Sequence, residues 1–244
     1  MTTAEMLLRA KADLDEVYSA GFEAGKAEGG TDSYYDTLWD SLQNYGNRTN
    51  LNNAFNGWGN GGVIRPKYSI RPTQAEYMFS NVGNGGDLVE QFNDCDITLD
   101  FSNCQRMNYC FSGSTFTRLG IIDLSVATGR TAQVFGGMSN LITIDKVVVV
   151  ANNALTSTFQ NATALQNVTF EGEIGQNVNF QWSPLSVASM KSVIDCLKSY
   201  AGTDNEFTYS VKFTEECWAA LEADSTAPDG GTWQDYVTSL GYNT

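Results

Sequence analysis

Met107-Asn-Tyr-Cys-Phe111-Ser-Gly113, Thr131-Ala-Gln-Val-Phe135-Gly-Gly137 and Leu155-Thr-Ser-Thr-Phe159-Gln-Asn161 are three passes over one pattern. A Phe recurs at an interval of 24 residues, and two places after it stands Gly or Asn. Leu51-Asn-Asn-Ala-Phe55-Asn-Gly57 and Ala75-Glu-Tyr-Met-Phe79-Ser-Asn81 repeat the pattern, again 24 residues apart. The strings Gly59-Asn-Gly-Gly62 and Gly83-Asn-Gly-Gly86 share that offset and are an independent marker of the period. Phe79 and Phe111 are 32 residues apart, so eight extra residues are placed between them, within Gly83–Asn93.

The pattern has a physical reading. Each Phe (Phe55, Phe79, Phe111, Phe135 and Phe159) ends a short turn and points inward as the repeat core. The Gly or Asn two places on tolerates a positive φ and stops the turn. Between the turns, apolar residues alternate as on one face of a strand: Tyr68/Ile70, Leu99/Phe101, Ile122/Leu124 and Val147/Val149. Leu141 and Ile144 follow Phe135 at the same distances as Leu165 and Val168 follow Phe159. One coil of this size cannot bury its own apolar face, so neighbours must stack.

Phe-x-Gly/Asn followed by Leu and then Ile/Val, on a period in the low twenties, resembles the BspA-type leucine-rich repeat over Leu51 to Phe180. The chain as a whole is similar to small leucine-rich-repeat proteins encoded by phages and prophages of gut bacteria. Four segments carry that second likeness. They are Tyr18-x-x-Gly21-x-x-x-Gly25-Lys26, Trp39 to Thr49, Asn179 to Leu185, and the Trp218…Trp233…Gly241-Tyr-Asn-Thr244 ending. The resemblance implies a virion component, without a mechanism.

The fold expected is an α/β repeat: a leucine-rich-repeat-like solenoid with coils of about 24 residues, an N-terminal helical segment and a small α+β C-terminal cap. Residues 1–28 read as a helix for oligomerisation or anchoring, 29–50 as a helical N-cap, 51–180 as the solenoid and 181–244 as the C-terminal cap. In the first segment Leu7, Ala10, Leu14, Val17, Gly21 and Ala24 fall on a heptad stripe. That stripe either packs on the repeats or forms a short parallel stem, for which a homo-oligomer, a trimer first, is the expectation. Val178–Phe180 is expected to be the last strand of the solenoid; in the cap, Ser183-Pro184 is expected to begin a helix that Gly202 ends, and Thr214 and Thr232 to cap two further helices.

Composition narrows the function. The net charge of −14 opposes phosphate backbones and anionic bilayers, so neither nucleic-acid binding nor membrane insertion is expected. No apolar run reaches the length of a membrane span, and Met1–Glu5 lacks the basic start of a secretion signal. The expectation is synthesis in a host cytoplasm and release by lysis in a virion. The five cysteines, Cys95, Cys104, Cys110, Cys196 and Cys217, contain no CxxC and read as buried free thiols. The chain has no histidine, which removes Ser-His and Cys-His nucleophile pairs and the commonest zinc ligand. No cofactor or metal site is expected.

Asp94, Asp96 and Asp100 are open to three readings: a solvated edge, a calcium site, or an acid pair acting on sugar. Trp58, Tyr68, Tyr77 and Tyr109 stand off the core Phe position. They either pack between coils or form a ligand-binding set, since aromatic faces stack on sugars and anchor protein interfaces. The function expected is therefore a non-enzymatic binding or structural protein, partnered with other virion proteins and with a bacterial surface glycan or protein. The alternatives are a purely architectural head or tail decoration and a surface-glycan-degrading enzyme.

Overall fold

The structure, a computed structural model, describes residues 50–57, 69–83, 85–93 and 98–244. The helix expected over 1–28, the helical N-cap expected over 29–50 apart from Asn50, Trp58, Tyr68, Cys95, Asp94 and Asp96 lie outside the described residues.

Phe55, Phe79, Phe111, Phe135 and Phe159 are at most 1% exposed. Their rings follow one another at centroid distances of 5.0, 5.3, 6.0 and 5.1 Å. The backbone repeats with them. Phe55 N–H donates to the Met78 carbonyl, Phe79 to Cys110, Phe111 to Val134 and Phe135 to Thr158, at 2.7–2.9 Å. Two places on, Gly57, Asn81, Gly113, Gly137 and Asn161 take φ of 70, 55, 69, 71 and 60°. This region costs an ordinary L-residue about 1–2 kcal/mol, and Gly or Asn much less. Each of the first four then donates its N–H to the following repeat, for example Gly113 to Gly136 at 2.8 Å.

Opposite the turns lies a parallel sheet in sequential order β1-β2-β3-β4: β1 Gly86–Asp87, β2 Phe116–Asp123, β3 Thr143–Val149 and β4 Asn167–Gly172. Leu119 is in register with Ile144, and Ile144 with Val168; all three are buried. The eight extra residues fall where β1 and α1 (Leu88–Asn93) lie. The helix rests on β2 at Gly120, where a Cβ would come 3.3 Å from Val89 Cγ2.

The outer edge of β4 is closed by a helix rather than a strand. In α2 (Val187–Asp195), Ser189 Oγ accepts from Val168 N–H and Ser192 Oγ accepts from Phe170 N–H, both at 2.8 Å. Ser189 also donates to the Gln166 carbonyl at 3.1 Å. Two serines three residues apart share a helix face and so stand in for the donors and acceptors of a fifth strand. This helix begins later than its sequence suggests. Ser186, not Ser183, is the N-cap, its side chain accepting from Ser189 N–H, and Pro184 lies in the preceding loop. It also ends earlier, at Cys196, because Ile174 donates to the Cys196 carbonyl at 2.6 Å and accepts from Lys198 at 2.8 Å. That pairing draws the chain out of the helix well before Gly202.

Val178–Asn179 is β5, and it opens a second parallel sheet rather than ending the first: β5, β6 (Tyr209–Lys212) and β7 (Tyr242–Asn243), in that order. Thr214 caps α3 (Glu215–Asp224) and Thr232 caps α4 (Trp233–Ser239); each accepts from the N–H three residues on, at 3.1 Å. The phenylalanine row runs into this part of the chain, with Phe159 to Phe180 at 4.5 Å and Phe180 to Phe213 at 6.2 Å. One buried apolar cluster thus spans Leu51 to Tyr242.

Candidate binding surface

Four of the five repeats bend a second time, two places before the Phe. Asn53, Tyr77, Tyr109 and Gln133 hold φ of 61, 56, 58 and 47° there. Asn is comfortable in this region; Tyr is bulky and is not. The backbone imposes the bend, because Tyr77 N–H donates to Asn108 O at 3.1 Å and Tyr109 N–H to Ala132 O at 2.9 Å. The two rings stack on each other at 4.9 Å and 6°. Such a pair contributes about 0.5–1.5 kcal/mol, which offsets part of the strain. Tyr77 nonetheless remains 40% exposed, and Tyr109 is half-buried. The sequence offered two readings for these residues; the Tyr77 and Tyr109 rings stack on each other, and they do so at the surface.

A polar row one residue earlier fixes the ridge. Asn52 Oδ1 accepts from Glu76 N–H at 2.7 Å, and Asn108 Oδ1 from Ala132 N–H at 3.0 Å. Asn108 Nδ2 donates to Glu76 Oε1 at 3.0 Å, and Arg106 Nη1 lies 3.9 Å from Glu76 Oε2. Of the four aromatics singled out from sequence, the structure brings Tyr77 and Tyr109 together. The equivalence of Asn53 and Gln133 to them escaped the sequence reading. It was recoverable by counting back two places from each Phe.

The acidic stretch is a different matter. Asp100 Oδ1 accepts from Ser102 N–H at 2.9 Å, and its Oδ2 is 3.3 Å from Arg71 Nε. The bonds from Ser102, and then the Arg71 charge, hold its carboxyl below the usual range. A general acid for glycosidic cleavage needs the opposite shift. Burial pushes the Cys104 thiol up to about 11 and Cys110 well above its ordinary value, and it raises Cys196 as well. These thiols stay protonated and inert at neutral pH. Among the described residues no group of three or more His, Cys, Asp or Glu is placed to hold a metal ion, and no helix is long and apolar enough to cross a membrane.

On the sheet side, Arg118 forks onto Asp145 at 2.8 and 2.9 Å, with Asp87 at 3.6 Å. A cleft of about 290 Å³ lies between α1 and β2, walled by Leu88, Val89, Phe92 and Ile121. Comparison with protein-family models, with curated proteins and with solved structures gives no match to this chain.

Proposed function

We propose that the chain is a non-enzymatic binding protein. In this reading it is a leucine-rich-repeat-like solenoid of coils of about 24 residues, closed by a small α+β cap. It presents the Tyr77–Tyr109 ridge to a bacterial surface glycan or protein. Its setting is a virion, where it serves host-receptor recognition or adhesion.

The observation that carries the reading is the pair of tyrosines. Two bulky residues in successive repeats are held at φ of 56 and 58°, where their neighbours in the row are Asn53 and Gln133. Strain of this kind concentrates at functional positions. Tyrosine supplies a large contact area with a polar tip, which suits an interface anchor. The virion setting and the homo-oligomer, a trimer first, rest on the resemblance and on the Leu7–Ala24 stripe.

The test is binding of the labelled full-length protein to intact gut bacteria, beside a Leu51–Thr244 truncation and a Tyr77→Asn/Tyr109→Asn double variant. Binding lost in the double variant supports the ridge as the contact. Binding that weakens in the truncation supports avidity from an oligomer; sedimentation as a monomer with and without residues 1–28 ends that part. Absence of binding to any cell turns the reading to an architectural decoration. Release of reducing sugar from host glycan, abolished by changing one acid, replaces it with an enzyme.

A further inference from the structure

The second site lies in the cap, apart from the tyrosine ridge, and stands independently of it. A depression of about 440 Å³ is lined by Thr163, Trp182, Pro184, Thr214 and Glu216, with Cys217 beside them. Trp182 occupies an anomalous place in the repeat. It stands two residues after Phe180, where the five earlier repeats carry Gly57, Asn81, Gly113, Gly137 and Asn161. Those five are left-handed and Trp182 is not among the positive-φ residues. The turn residue has been exchanged for a half-buried indole beside an exposed proline.

The geometry points to a binding site for a neutral sugar ring of a glycan. Four features match that chemistry. The indole of Trp182 and the Pro184 ring supply an apolar surface for the C–H side of a pyranose. Among the described residues, neither the Trp182 Nε1–H nor the Thr163 hydroxyl has a hydrogen-bond partner, so both can serve sugar oxygens. The exposed Glu216 carboxylate is an acceptor for sugar hydroxyls. Its own backbone N–H, and then the Thr214 hydroxyl, stabilise its charged form and hold its pKa below the usual range. No Lys or Arg lines the depression, so Glu216 and the net charge of −14 disfavour uronic and sialic acids.

Calorimetric titration of the full chain with glucan, galactan and mannan hexasaccharides tests the site, with a galacturonan hexasaccharide as the anionic counterpart. At least one neutral probe is expected to bind and the galacturonan is not. Glu216→Gln is expected to weaken binding at least about tenfold, the loss of one charge-assisted hydrogen bond. Trp182→Ala is expected to abolish it. Where Trp182→Ala does not fold, the exposed Glu216→Gln variant decides. Silence from all three neutral probes, equal binding of the galacturonan, or wild-type affinity in Glu216→Gln overturns the proposal. Titration with the free monosaccharides then separates a free sugar from a polymer as the occupant.

Discussion

At the scale of single residues, the ridge opposes two energies of similar size. A tyrosine at φ 56° costs about 1–2 kcal/mol in backbone strain, and its stacked ring returns about 0.5–1.5 kcal/mol. Tyr77→Asn removes both terms and restores the residue type seen at Asn53. Chemical denaturation is therefore expected to place this variant within about 1 kcal/mol of the parent, while binding to cells is lost. A large loss of stability would show that the ring is structural after all. The thiols give a second expectation. Cys104 ionises at an ordinary value of 9.0 in the unfolded chain and at about 11 when folded. The folded state therefore holds a proton that the unfolded state releases in this window. Stability is full below pH 9 and falls as pH rises towards 11, and Cys110 adds to the fall. Urea midpoints at pH 8 and pH 10.5 should diverge, and Cys104→Ala/Cys110→Ala should narrow the gap. Equal narrowing by an unrelated core change such as Val134→Ala would argue against the thiols.

At the scale of elements, α2 carries the most specific expectation. Ser189 and Ser192 take the N–H groups of Val168 and Phe170. Leaving one buried N–H unpaired costs about 1–3 kcal/mol. Ser189→Ala/Ser192→Ala is expected to lower stability by about that much per site and to accelerate amide exchange in β4 ahead of β2. Exchange that rises evenly across the sheet would mean that the hydroxyls do not hold the edge. This device was not legible in the sequence, since two serines on a helix face look like any solvated pair. The phenylalanine row was legible because each Phe and the residue two places on obey local rules: one must be buried, the other must tolerate positive φ. The caps Thr214 and Thr232 were legible for the same reason. The bounds of α2 were misread because Pro184 is a general start signal, whereas the true start is set by a local Ser186 cap and the true end by a pairing with Ile174. The ridge was half legible: Tyr77 and Tyr109 could be named as off-core aromatics, but their stacking depends on the packing of one repeat on the next.

At the scale of the whole molecule, the assigned limit at residue 180 crosses a continuous core. Phe180 lies between Phe159 at 4.5 Å and Phe213 at 6.2 Å, and Phe213 meets Trp218 at 4.9 Å. Ser183 Oγ donates to the Ala162 carbonyl at 3.0 Å, and the Tyr242 hydroxyl to the Ile174 carbonyl at 2.8 Å. The last residues thus reach back across the limit to the end of β4. A fragment ending at Phe180 would expose that phenylalanine, uncover the β4 edge and free the acceptors of Ala162 and Ile174. Elements that share buried surface in this way unfold together. The described chain from 98 to 244 should therefore melt as one cooperative unit, with circular dichroism and tryptophan fluorescence reporting the same midpoint. With Trp39 and Trp58 replaced by Phe, Trp182, Trp218 and Trp233 report from beyond the limit, and the parallel sheet reports from before it. Two separated midpoints, or a fragment ending at Phe180 that melts as steeply as the full chain, would show that the cap is an independent domain and that the aromatic row does not couple the two.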